Sequence, residues 1–185
     1  MSKGPVRTSP NGPPKLPDGI LDELSSRLTK DDAPFLRHLT KQLSLQWADA
    51  SDTRLGYTRF EFDHHELFRR RRLRGSPGPI TIALHPRLKD DEKLYLHTLV
   101  HELLHAAGLV DHGNQHSELV NEIAPAPKLS ESPVLRSMRE EVLAGLPEQT
   151  WICGECGHTW ERRRVSLPQR CPKCARPFSS GKELR

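Results

Sequence analysis

Residues 94–109 read LYLHTLVHELLHAAGL, and this stretch constrains what the rest of the chain can build. Leu94, Leu99, Val100, Leu103, Leu104 and Ala107 make it nearly apolar, so the spacing predicts a helix buried at the centre of a domain. Asp90 is placed to cap its start, and Gly108 to end it. The helix also carries His101, Glu102 and His105 in the pattern His-Glu-x-x-His. Histidines four apart lie one turn apart on the same face, where both imidazoles can reach one metal ion. The intervening glutamate sits beside that face, where it can take a proton from a metal-activated water. This donor set points to a hydrolytic zinc site with Glu102 as its base.

The chain has 185 residues, enough for one ordinary domain plus a small module. Sixteen prolines and a hydrophobic fraction of 35% imply linkers or tails beside the packed parts. No apolar run approaches the length of a membrane span, and the opening MSKGPVRTSPNGPPKLPDG has no secretory core. The expected location is cytoplasmic, nucleoid-associated in a prokaryote, with no membrane partner. Residues 151–185 hold eight Lys/Arg against three Asp/Glu, while the other 150 residues hold 20 against 21. The positive charge therefore gathers at one end, where a polyanion could be attracted.

Residues 1–19 are expected to be a disordered tail, 20–128 the domain that holds the histidines, 129–149 a linker with a helix, and 150–185 a separate small unit. Apolar spacing predicts helical structure from Ile20 to about Leu45, broken near Asp31-Asp32-Ala33-Pro34. LGYTRFEF (55–62) and PITIALHP (79–86) read as strands. Five arginines occupy the six positions from Arg69 to Arg74 and form a second basic site. Further helices are expected near 115–123 and 134–144. His64, His65 and His85 carry no spacing argument and are expected at the surface. His97, one turn before His101, is a cleft residue or a packed histidine rather than a ligand.

A catalytic zinc usually takes three protein ligands and keeps one position open. After the bend at Gly108 the candidates for the third are Asp111, His112 and His116. Asp111 completes HExxHxxGxxD. His112 precedes Gly113, which permits close backbone approach, and His116 lies one helical turn further on. At the other end, Cys153-x2-Cys156 and Cys171-x2-Cys174 are separated by 14 residues and use all four cysteines of the protein. Two such knuckles supply four thiolates for a tetrahedral structural zinc, and so a zinc ribbon. Arg162, Arg163, Arg164, Arg170, Lys173 and Arg176 could contact phosphates there. Trp151, Trp160 and Phe178 could either stack on bases or form the ribbon's core.

The strand PITIALHPRL, then LVHELLHAAG and the following DHG, resemble the SprT-like zinc metalloproteases, of bacterial SprT and eukaryotic Spartan type, over about residues 35–125. The resemblance implies an α+β fold: a mostly helical, zincin-like domain with a small strand region, followed by a ribbon. Carried over by position, it implies that His112 is the third ligand, beside His101 and His105. His116 departs from the pattern, standing where the family has an aromatic residue. It further implies protein substrates bound or crosslinked to DNA; the basic residues of the ribbon are the expected contact with single-stranded or damaged DNA. The competing expectation is a non-catalytic, nucleic-acid-binding adaptor acting in stress response or transcription.

Overall fold

The computed structural model describes residues 12–147 and 150–180. The chain is α+β and divides into two compact units, one through Ser132 and one from Pro133 onward. No described helix is long and apolar enough to cross a membrane.

The first unit is built on a three-stranded sheet of β1 (Leu43–Trp47), β2 (Gly56–Phe60) and β3 (Ile80–Leu84). β3 is central, parallel to β1 and antiparallel to β2. Its Ile80, Ile82, Ala83 and Leu84 are fully buried, as expected for a short β-branched run bounded by Pro79 and Pro86. Two helices precede the sheet, α1 (Ile20–Arg27) and α2 (Leu36–Gln42). The helical pattern expected to reach Leu45 stops at Gln42, and Leu43–Trp47 pairs with β3 instead. Leu43 continues the helical spacing of Leu36 and Leu39 and also alternates with Leu45, so the available ladder along β3 decides the conformation.

α3 (His64–Leu73) has no buried residue, and so no apolar stripe by which sequence could reveal it. The Asp63 side chain caps it by accepting from the Glu66 N–H. His64 and His65 are exposed in its first turn. His85 corrects the expectation of a surface residue. It is buried, its Nδ1 accepts from the Arg87 N–H, and it opens a short 3-10 turn over Pro86–Asp90.

α4 (Glu92–Ala107) follows, with nine residues buried. Its cap is Asp91 rather than Asp90: the Asp91 carboxylate accepts from the Leu94 N–H, and Asp90 ends the preceding 3-10 turn. Gly108 closes the helix in the left-handed region (φ 104°). A Cβ there would lie 3.1 Å from Pro34 and 3.2 Å from Phe35, so a side chain would be both strained and crowded. α5 (Asn114–Ile123) packs back against α4.

The part of the expected disordered tail that lies within the described residues is tethered. Trp47 Nε1 donates to the Gly12 carbonyl (2.7 Å) and the Tyr95 hydroxyl to the Lys15 carbonyl (2.7 Å), and Pro14 is buried. Residues 1–11 of that tail lie outside the described residues.

The second unit joins α6 (Pro133–Ala144) to a two-stranded ribbon. In the ribbon β4 (Thr150–Ile152) pairs antiparallel with β5 (Thr159–Glu161), so that Trp151 faces Trp160. The helix expected within the 129–149 linker therefore belongs with the ribbon, and Arg139 donates to the Arg163 carbonyl.

Candidate metal centre

α4 places His101 and His105 one turn apart, as their spacing requires, and their Nε2 atoms stand 3.1 Å apart. Beyond Gly108 the chain turns back so that His112, in an exposed segment, brings its Nε2 to 3.0 Å from that of His105 and 3.3 Å from that of His101. Asp111 is exposed and does not join the cluster. His116 does join it, from the first turn of α5: its ring stacks on His105 (4.7 Å, 24°) and meets His101 edge-on (4.5 Å).

Two triads therefore share His101 and His105. With His116, the ligand atoms lie within 4.8 Å of one another; with His112, the Nε2 atoms lie within 3.3 Å. The tighter triad is the better candidate to share one ion. Four imidazoles could thus surround a metal, with His116 behind the triangle, buried, and its Nε2 without a partner.

Hydrogen bonding alone does not satisfy the triangle. His105 Nδ1 lies 3.0 Å from the Leu109 carbonyl, which can only accept, so Nδ1 carries the proton and Nε2 presents a lone pair. His101 and His112 would then both have to donate to His105, which would turn two N–H groups toward each other at 3.3 Å. A cation among the three lone pairs removes that conflict, and the Leu109 carbonyl fixes the tautomer it needs.

Burial, reinforced by the neighbouring imidazoles, pushes His101 and His116 down to about 4 and also lowers His105. An ordinary histidine titrates near 6.5, so below that pH the unfolded chain binds more protons than the folded one. The stability of the metal-free protein should therefore fall as pH drops from about 6.5 toward about 4, and gain nothing from these groups above that window. Glu102, raised by burial, acts with the opposite sign, but as one group against three. Urea unfolding of the metal-free protein at pH 7 and pH 5 measures the balance. A midpoint that does not decrease at pH 5 would mean that these rings are solvated.

Glu102 is only 6% exposed. The Thr58 hydroxyl on β2 lies 2.9 Å from its Oε2 and 3.0 Å from its backbone carbonyl. Burial raises its carboxyl, partly offset by the Thr58 hydrogen bond. Gly56, next but one to Thr58 along β2, lets α4 approach the sheet. A Cβ at Gly56 would fall 2.8 Å from Thr98 Cγ2 and 3.1 Å from Glu102 Cγ. Gly56→Ala should then destabilise the fold by about 1–3 kcal/mol, read as a lower melting midpoint. An unchanged midpoint would mean that the strand and helix have room to spare. Neither Gly56 nor Thr58 was legible in sequence, because each matters only through a contact made across the fold.

His97 lies outside the cluster. Its Nδ1 is 2.7 Å from the Ala124 carbonyl, which ties α4 to the end of α5.

In the second unit Cys153, Cys156, Cys171 and Cys174 form a four-sulfur cluster that could hold a metal ion. Cys153 and Cys174 Sγ are 3.9 Å apart, and Cys156 and Cys171 Sγ 3.7 Å, far beyond a disulfide. Burial pushes the Cys171 thiol up, but the backbone N–H groups of Cys174 and Lys173 and the neighbouring thiols outweigh it and bring it down to about 7. Trp151 is buried, and Phe178 meets both Trp151 (5.6 Å) and Trp160 (5.4 Å) edge-on. Arg162 covers the Trp151 face at 4.4 Å. The three rings form the ribbon's core, which takes Trp151 out of the set that could stack on a base. His158 lies outside the sulfur cluster and stacks on Trp160 (5.7 Å).

The chain matches no protein-family model, no curated protein and no solved structure.

Proposed function

We propose that this protein is a zinc-dependent metallopeptidase of SprT-like type, acting on proteins associated with or crosslinked to DNA. The observation that carries the reading is the triangle of Nε2 atoms next to a buried glutamate on the same helix. Imidazoles sharing a tetrahedral zinc at about 2.0–2.1 Å stand about 3.3 Å from one another. The spacings of 3.0, 3.1 and 3.3 Å support His101, His105 and His112 as ligands of a catalytic zinc. In the ribbon, sulfurs sharing a zinc at about 2.3 Å stand about 3.8 Å apart. The spacings of 3.7 and 3.9 Å support a structural zinc on the four cysteines.

A bound zinc supplies an activated water and a polarised carbonyl near neutral pH. Glu102 accepts the proton of the attacking water and returns it to the leaving amine. Burial raises its carboxyl, which makes it a stronger proton acceptor than an exposed glutamate. Thr58 donates to one oxygen of the carboxylate and fixes its orientation, and the Leu109 carbonyl holds the His105 ring. The basic residues of the ribbon attract DNA and keep the peptidase near its substrates.

His116 favours a second reading. If its ring joins the other three histidines around the metal, the site is closed to water. The protein would then be a nucleic-acid-binding adaptor with two structural zinc ions. The intact, buried Glu102 weighs against this, because a closed site has no use for a proton acceptor. The deciding experiment is cleavage of a basic DNA-binding protein, with and without single-stranded DNA, by protein shown to carry two zinc ions per chain. DNA-stimulated cleavage is expected; no cleavage by the fully loaded protein would favour the adaptor.

A further inference from the structure

The arginines between Arg69 and Arg74 do not share one environment. Glu66 holds Arg69 (2.8 Å) and Arg70 (2.6 Å) on one face of α3. Arg70 is further fixed by the Ser76 carbonyl (2.7 Å) and lies over the Phe62 ring (3.8 Å). Arg74 is paired with Asp31. Phe68, Arg71 and Arg72 occupy positions i, i+3 and i+4, which form another face of the helix. Among the described residues no ion pair or hydrogen bond engages the Arg71 or Arg72 side chains; the charge of half-buried Arg71 is felt by Asp32, Arg72 is exposed, and Phe68 is 65% exposed. Beside this face is a concavity of about 330 Å³ that Lys30 and Pro34 also line, together with the Asp31–Arg74 pair. Its lining carries four cations against one carboxylate.

An exposed aromatic ring among unpaired guanidinium groups serves neither the core nor solubility. Phosphates suit the guanidinium forks, and a base suits the ring face. A duplex would leave Phe68 unused, because its base faces are stacked inside, and an isolated phosphate would use the arginines alone. We propose that this concavity binds single-stranded nucleic acid, with a base on Phe68 and adjoining phosphates on Arg71, Arg72 and Lys30. The site lies in the histidine-bearing unit and does not depend on the metal reading or on the ribbon. Nucleic acid held here would be engaged by the unit that carries the proposed zinc.

The test uses the full chain and a fluorescein-labelled oligothymidylate, followed by anisotropy over a range of salt concentrations. Phe68→Ala is expected to weaken binding about five- to a hundredfold, the range for loss of one stacked base. Arg71→Ala/Arg72→Ala should weaken it at least about tenfold and make the log–log salt slope shallower by about 0.7 for each phosphate no longer held. Arg69→Ala, on the neutralised face, should change little. All these side chains are solvent-accessible, and a thermal melt confirms that each variant folds. A photo-cross-linkable iodouracil oligomer should mark Phe68. The proposal is overturned if cross-links fall only in the ribbon, or if neither α3 variant weakens binding. It is equally overturned if duplex of the same length binds as tightly and with the same dependence on Phe68. The same holds if a phosphopeptide or anionic phosphatidylserine vesicles, and not the oligomer, depend on these residues.

Discussion

If the protein is the proposed peptidase, Glu102→Gln is expected to lower turnover by about 10²–10⁴-fold, the usual worth of a positioned acid–base group, with metal content unchanged. The substitution keeps the shape of the side chain and leaves an amide oxygen to accept the Thr58 hydrogen bond, so α4 should stay seated against β2. What is lost is the ability to take a proton. Metal analysis and a thermal melt of the variant separate this loss from unfolding or from an empty site. A variant that retains both ions and full turnover would remove Glu102 from the chemistry and with it the peptidase reading. His101→Ala or His105→Ala should instead lose one metal ion and turnover together.

Cys171→Ser should unfold the ribbon and lower the metal content from two ions to one. Cys171 is buried, and its sulfur lies 3.7 Å from that of Cys156. The aromatic core among the described residues there is Trp151, Trp160 and Phe178, packed at 5.4–5.6 Å. So small an apolar cluster does not offset the entropy of ordering the surrounding loops. A structural zinc supplies apparent folding free energy of about 10–16 kcal/mol, more than such a unit can lose and remain folded. Near-UV circular dichroism of the tryptophans should fall toward the unfolded signal. The thermal transition of the histidine-bearing unit, whose core is separate, should persist. Retention of the signal and of both ions would show that the ribbon is held by packing rather than by metal.

These expectations rest on features of different legibility. His-Glu-x-x-His could be read directly because both histidines and the glutamate sit on one helix, whose periodicity fixes their relative positions. The paired Cys-x-x-Cys knuckles were legible because each is a tight turn that brings its own two sulfurs together locally. β2, β3, α4, α5 and α6 followed from apolar spacing and from Pro and Gly punctuation, with errors of a few residues at their ends. The two aspartates before α4 show the limit: Asp90 and Asp91 are chemically equivalent caps, and only the path of the preceding 3-10 turn selects Asp91.

The third vertex of the histidine cluster belongs to another class. Asp111, His112 and His116 are close in sequence, and each has metal-binding chemistry. The bend at Gly108 and the packing of α5 on α4 brought His112 to the triangle, placed His116 behind it and left Asp111 in solvent. β1 became a strand because β3 offered it a ladder, and His85 became buried because the 3-10 turn folded over it. Thr58 and Gly56 matter through contacts with a helix more than forty residues away, and no local pattern encodes such a contact. The arginine run was visible in the sequence, but only the fold divided it into a face neutralised by Glu66 and a face left open around Phe68. Sequence by itself determined the donor atoms and their local spacing, since these follow from the geometry of a single element. The tertiary structure alone decided which donors meet and which charges stay unpaired, since burial and long-range contacts depend on the whole chain.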